Sequence, residues 1–212
     1  MAKSNNVSSL TIAEIKNYMN KKNIKDRLIV TPMLNPDEMF DPVSINVRLG
    51  NEFIIMKKQS FPILDIANYN NLDLSIEEYQ EEIRIDFRKE LVLHPRQLII
   101  GSTLEYICIP QRLMCYVVGK STWGRMGLII ATATKVDPGF KGCITLEIIN
   151  DGEVPIVLYP GIPIAQLVFH EVSSESQYLG KYRCPTGPQF PDFRKNDKDW
   201  KFWLPKPKPT DG

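Results

Sequence analysis

The chain has 212 residues, a formal net charge of +1 at pH 7 and 43% hydrophobic residues. That length suits one domain with extensions, and the near-neutral charge gives no electrostatic case for binding nucleic acid. No apolar run is long enough to cross a membrane, and the polar start, MAKSNNVSS, lacks the apolar stretch of a secretory signal.

Residues 1–9 are polar and expected to be disordered. Thr11 with Glu14 forms a capping box, and Ile12, Ile15, Tyr18 and Met19 make a helical stripe, which predicts a helix from about Ile12 to Lys21. From Ile24 the signals turn to strand, with short apolar runs punctuated by Pro32, Pro36, Pro42, Gly50, Pro62, Pro95, Gly101 and Pro110. Ser75 with Glu78 suggests a second cap and a short acidic helix over Ile76–Glu82. Strands are then expected over 83–87, 90–93, 97–100, 104–109 and 113–118. Many short strands with turns at close intervals argue for an all-β barrel or jelly roll. Cys108, Cys115, Cys143 and Cys184 are scattered, without a CxxC pair, so free thiols in an intracellular, cytoplasmic protein are expected.

The densest chemistry lies between Gly119 and Asn150. Gly119-Lys120-Ser121-Thr122 is not the end of a phosphate-binding P-loop, because that motif needs a glycine at the position of Cys115. Arg125 follows, then a tight turn at Asp137-Pro138-Gly139. In the last part Ile144, Leu146 and Ile148 point one way, while Cys143, Thr145, Glu147 and Ile149 point the other. Glu147 therefore stands mid-strand opposite three aliphatics, either solvated or lining a site. Metal-dependent nucleobase deaminases need an HxE and PCxxC ligand set. His94 and His170 stand alone here, which leaves no such set for a catalytic zinc.

These pieces together resemble the dCTP deaminase family of the dUTPase-like superfamily. The resemblance runs in order over roughly residues 10–190. It is carried by Ser44–Gly50, Gly119–Thr122, Arg125–Leu128, Val136–Gly142, Thr145-Leu146-Glu147, Leu158–Gly161 and Ile164–Leu167. It implies a distorted jelly roll or β-barrel with an N-terminal helix and a short extra helix. It also implies a β domain over 1–172, and a mobile C-terminal arm with a Pro/Lys-rich tail over 173–212.

The resemblance implies deamination of dCTP to dUTP and ammonia, supplying thymidylate synthesis. Glu147 matches the catalytic glutamate, Ser121 a residue that holds the water and amino group, and Arg125 a residue that pairs with the glutamate. Thr132, Ala133 and Thr134 lie where the base is read, and Asp137 matches the acceptor of the 3′-hydroxyl. Lys120, Thr122, Gln166 and Lys181 are placed to meet phosphates, with Tyr178 and Tyr182 as further substrate contacts. Mg²⁺ is expected through the triphosphate, zinc is not, and dTTP is a candidate inhibitor. Family enzymes are homotrimers, so Ser121 and Glu147 act from different chains. The alternatives are a bifunctional enzyme forming dUMP and pyrophosphate, a dUTP diphosphatase, and a catalytically silent regulatory trimer.

The sequence departs from the family pattern in places. The segment between Arg125 and Asp137 aligns one residue short, Asn46 stands where an aspartate is common, and Pro185-Thr186 replaces glutamines in the arm. Trp200, Phe202 and Trp203 extend beyond the resemblance, either as an anchor on a subunit surface or as an unexplained extension.

Overall fold

The structure is a computed structural model that describes residues 8–57, 65, 76, 78–131, 135–192 and 200–205. Its first element is the expected helix, α1, Ile12–Met19. The Thr11 hydroxyl accepts from the Glu14 amide, and the Glu14 carboxylate accepts from the Thr11 amide at 2.8 Å. This exchange satisfies amide donors that the first turn would otherwise leave open. Ile15 is the residue of the stripe that is fully buried. Of the stretch 1–9 expected to be disordered, residues 1–7 lie outside the described residues, while Ser9 and the following Leu10 are tied down. Ser9 bridges to His170, and the Leu10 amide donates to the Phe169 carbonyl.

Two antiparallel sheets enclose the core. The first comprises β1 (Ile29–Thr31), β4 (Glu52–Met56), β5 (Gln80–Arg84), β7 (Leu98–Cys108), β9 (Leu128–Ile130) and β11 (Lys141–Asn150). Its order is β5-β4-β7-β11-β9, with β1 pairing to the far half of β7. The second holds β2 (Phe40–Asp41), β3 (Ser44–Arg48), β8 (Leu113–Gly119), β10 (Lys135–Val136) and β13 (Pro163–Glu171), in the order β10-β8-β13-β3-β2. β6 (Leu91–Leu93) and β12 (Ile156–Leu158) form a separate ribbon. The protein is thus mainly β, as expected.

Alternation on β11 sets where the chemistry points. Ile144, Leu146 and Ile148 are at most 5% exposed in the core between the sheets. Each buried side chain of this size is worth about 2 kcal/mol, and a slip of one residue would turn all three outward. The register is therefore pinned, and Glu147 is held on the opposite face. Cys143 belongs to that outer face by alternation yet is buried, because the Pro185 carbonyl accepts from its amide at 2.7 Å and covers it.

Between the sheets the Arg48 side chain meets the fully buried Glu105 at 3.0 Å, and the Arg48 amide donates to the same carboxylate at 2.8 Å. Burial pushes the Glu105 carboxyl above its ordinary range, and these hydrogen bonds pull part of that back.

Two expectations need correcting. The helix over Ile76–Glu82 gives way at Gln80, where β5 begins by pairing with Met56 of β4. The edge of an existing sheet outweighs a local capping signal. The strands expected over 97–100 and 104–109 are one strand, β7, which runs through Gly101. A Cβ at Gly101 would lie 3.4 Å from Leu49 and Phe53 side chains, so this glycine permits close packing rather than ending the strand. Residues 200–203 form a helical turn despite the proline-rich surroundings.

Candidate functional site

Four of the expected site residues converge on one cavity of about 450 Å³: Asp137, Glu147, Tyr178 and Tyr182. Glu147 projects from β11 opposite Ile100 of β7, and its carbonyl accepts from the Ala131 amide at 2.8 Å. Thr132, Ala133 and Thr134, the expected base-reading residues, follow Ala131 and lie outside the described residues. Glu147 Oε2 is buried and has no hydrogen-bond partner among the described residues. Such an oxygen normally costs about 1–3 kcal/mol, so it marks a place where a donor binds.

Asp137 ends the β10 connection, and Lys135 donates to its Oδ1 at 2.5 Å. The turn that follows it requires glycine. Gly139 has φ +78°, and a Cβ there would lie 3.2 Å from the Tyr178 amide nitrogen. The chain from 177 to 191 crosses this turn, and Tyr178 packs edge-on against Phe140 with ring centroids 5.6 Å apart. Tyr178, Tyr182, Pro185, Gln189 and Pro191 then line the cavity opposite the sheet. The Tyr182 amide donates to the Tyr178 hydroxyl, and the Asp192 amide donates to the Tyr182 hydroxyl. Burial raises the Tyr182 hydroxyl above its ordinary range; the hydrogen bond from the Asp192 amide pulls part of that back, and the charges of Asp192, Tyr178 and Glu147 add to the rise. The expected arm therefore has its described part, 173–192, seated on its own chain's sheet.

The other expected residues lie elsewhere. Lys120, at the end of β8, donates to Asn46 Oδ1 at 2.6 Å, and Gln166 of β13 donates to Asn46 Oδ1 and to Asp41 Oδ2. Asn46 in turn donates to the Glu38 carbonyl. An aspartate could not make that last bond, which accounts for the amide where an acid is common. Ser121, Thr122 and Arg125 sit on the exposed one-turn helix Ser121–Gly124 and its C-terminal flank. They do not line the cavity that holds Glu147, and among the described residues no ion pair joins Arg125 to Glu147. The expected pairing of Arg125 with the glutamate is thus not made within one chain. Lys181 is exposed and donates to the Asp192 carbonyl at 2.6 Å, within the arm itself.

Sequence reasoning missed Gln80 and Lys135 on the cavity, and Asp41 and Ser44 beside Gln166. Lys135 could have been found from its spacing of two from Asp137. The others depend on strand pairing that no local pattern shows. Among the described residues no three His, Cys, Asp or Glu side chains converge as metal ligands. No described helix is long and apolar enough to cross a membrane.

A family model described as dCTP deaminase-like matches residues 9–172. A dCTP deaminase of Haloarcula marismortui is 36% identical over 169 residues, covering 76% of this chain and 85% of that protein. A dUMP-forming dCTP deaminase of Dictyoglomus turgidum is 36% identical over 186 residues, covering 84% and 91%. Among solved structures, the 2'-deoxycytidine 5'-triphosphate deaminase of Agrobacterium tumefaciens superposes with a TM-score of 0.58 at 21% identity. That match covers 78% of this chain and 49% of the other, so this chain spans about half its length, and the likeness is one of fold.

Proposed function

The chain belongs to the dCTP deaminase-like family, and we propose that it hydrolyses dCTP to dUTP and ammonia without zinc. The observation that carries this reading is Glu147 Oε2, buried and unpartnered in a cavity that also holds Asp137. Water attacks C4 of cytosine. Glu147 takes a proton from that water and passes it to the ring nitrogen, then takes the remaining proton from the new C4 hydroxyl and gives it to the departing amine. One carboxylate serves all four transfers, because each uptake leaves it protonated for the donation that follows and each donation leaves it ionised for the next uptake. Asp137 accepts the sugar 3′-hydroxyl, and Thr132–Thr134, which follow Ala131 in the sequence, read the base.

Ser121 and Arg125 face away from this cavity in their own chain. In the proposed homotrimer, the copies of Ser121, Thr122 and Arg125 that complete a site come from a neighbouring subunit, with Lys120 and Gln166 toward the phosphates. Lys120, Asn46 and Gln166 offer one cation and amides rather than a carboxylate cage. That fits a magnesium ion held by triphosphate oxygens and water. When bound, it offsets phosphate charge.

A second reading is favoured by the dUMP-forming relatives, which are also 36% identical and cover 84% of this chain: the product is dUMP with pyrophosphate. Incubating the protein with dCTP and with dUTP, then resolving the products by chromatography and assaying ammonia, separates the two. Release of ammonia with dUTP accumulating supports the first, and dUMP the second. Intact dCTP after prolonged incubation with magnesium would remove both.

A further inference from the structure

Two buried side-chain oxygens without a partner stand out among the described residues, Glu147 Oε2 and Gln80 Oε1, and both residues line the same cavity. Gln80 is 7% exposed. Its amide nitrogen is held by a contact to Met56 Sδ at 3.2 Å, which aims the amide but leaves the oxygen unsatisfied. Strand register puts the two groups on one face. Glu147 pairs with Ile100, Ile100 with Ile54 and Ile54 with Glu82, and Gln80 is two residues from Glu82. The floor between them is apolar, including Met56, Leu98 and Ile100. A flat ring fits over such a floor with acceptors at its rim, and the lone cation on the lining, Lys135, is taken by Asp137.

We propose that Gln80 is a specificity-determining residue that reads the 4-substituent of the pyrimidine, an inference that rests on the deaminase reading above. The base of dCTP has no hydrogen-bond donor except its 4-amino group. Gln80 Oε1 and Glu147 Oε2 are buried acceptors on this lining that lack a donor among the described residues, and Gln80 Oε1 takes one hydrogen of the 4-amino group at the far side of the apolar floor. After deamination the 4-position is a carbonyl, which only accepts. Gln80 is suited to both states, because turning its amide by half a turn replaces the acceptor with the NH₂ donor. A carboxylate in its place would hold the amino form and repel the carbonyl form. A thioether in its place would hold neither.

The test compares wild type, Gln80→Met and Gln80→Glu by calorimetric binding of dCTP and of dUTP at pH 8 with magnesium, with turnover of dCTP measured beside it. Leaving a buried polar group unpaired costs about tenfold in affinity. Gln80→Met should therefore bind both nucleotides about tenfold more weakly, and Gln80→Glu should weaken dUTP by at least that factor while dCTP stays within about threefold. Unchanged dCTP binding by Gln80→Met, with Glu147→Gln inactive, would overturn the role of Gln80 and leave the deaminase reading standing, with water alone meeting Gln80 Oε1. Equal loss of both nucleotides in Gln80→Glu would also overturn it. If Gln80→Met fails to fold, the dCTP-to-dUTP ratio in Gln80→Glu decides alone. Wild-type protein that binds dCTP but does not deaminate it would sink the proposed reaction while the binding ratios still judge Gln80. Wild-type protein that binds neither nucleotide would overturn both.

Discussion

Replacing Glu147 by glutamine isolates proton transfer from everything else the site does. Glutamine keeps the length of the side chain and one acceptor oxygen but cannot take a proton from water. Loss of a general base costs on the order of 10²–10⁴ in rate, so turnover of dCTP should fall at least a hundredfold. The structure also fixes what should not change. Among the described residues Glu147 Oε2 makes no hydrogen bond, and Arg125 is exposed with no ion pair to it. Removing the carboxylate therefore leaves no buried guanidinium unpaired, the situation that costs about 3–5 kcal/mol. Melting should stay within about 1 kcal/mol of wild type, the range of substitutions that break no buried pair. The assay is chromatographic separation of dCTP, dUTP and dUMP with parallel calorimetric melting. Turnover within tenfold of wild type by the folded variant would refute Glu147 as the base. A large loss of stability would show instead that the assembled protein pairs this carboxylate in a buried setting.

Truncation before Lys181 removes Tyr182, Pro185, Gln189 and Pro191 from the cavity wall and one strand-to-arm hydrogen bond. Turnover should fall by more than tenfold, with a melting shift of only a few degrees, and unchanged turnover in the truncated, folded protein would refute a role for the arm. Mixing inactive Glu147→Gln with inactive Ser121→Ala protein under subunit exchange should restore part of the activity if sites are shared, and light scattering should give three times 24.3 kDa. A monomer mass contradicts the shared site. Because burial raises the Glu105 carboxyl above its unfolded value, its contribution is fully present below about pH 4.5 and is lost as pH rises through the folded pKa. The melting temperature of wild type relative to Glu105→Gln should therefore fall between pH 4 and 7, and the opposite slope would mean that Arg48 outweighs burial. With an aromatic disulfide reagent at neutral pH, exposed Cys184 should react first. Cys143, pushed up to about 11 by burial, and Cys115, raised further, should react only on unfolding.

What the sequence made legible is what local pattern controls. The capping box of α1 and the alternation along β11 depend on residues two to four apart, and both hold. The turn at Asp137-Pro138-Gly139 was legible as a turn, but not its reason, which is the passage of residues 177–178 over Gly139. Gln80 was unreadable because a neighbouring acidic segment looks helical, while a strand 24 residues away supplies its backbone partners. Composition after residue 172 reads as a tail. Its described part is held by contacts to Cys143, Gly139 and Phe140 that lie 30 to 45 residues upstream. Long-range pairing decided each of these points, and no window of sequence contains it.

Charge explains why the chain carries its site in two halves. The cavity around Glu147 is lined by two carboxylates and one lysine, and that lysine already serves Asp137. Such a lining suits a neutral base and a sugar hydroxyl and repels a triphosphate. The groups suited to phosphate lie outside that cavity: Lys120, Gln166 and the exposed flank Ser121, Thr122 and Arg125. A core that includes the buried Arg48–Glu105 pair lies between the sheets. In the proposed homotrimer a nucleotide lies between copies, with its base in the cavity of one and its phosphates against the exposed flank of another. Closing the proposed reaction site and assembling the subunits are then a single event. An obligate monomer made by disrupting the contacts between copies should keep its fold but turn over no dCTP.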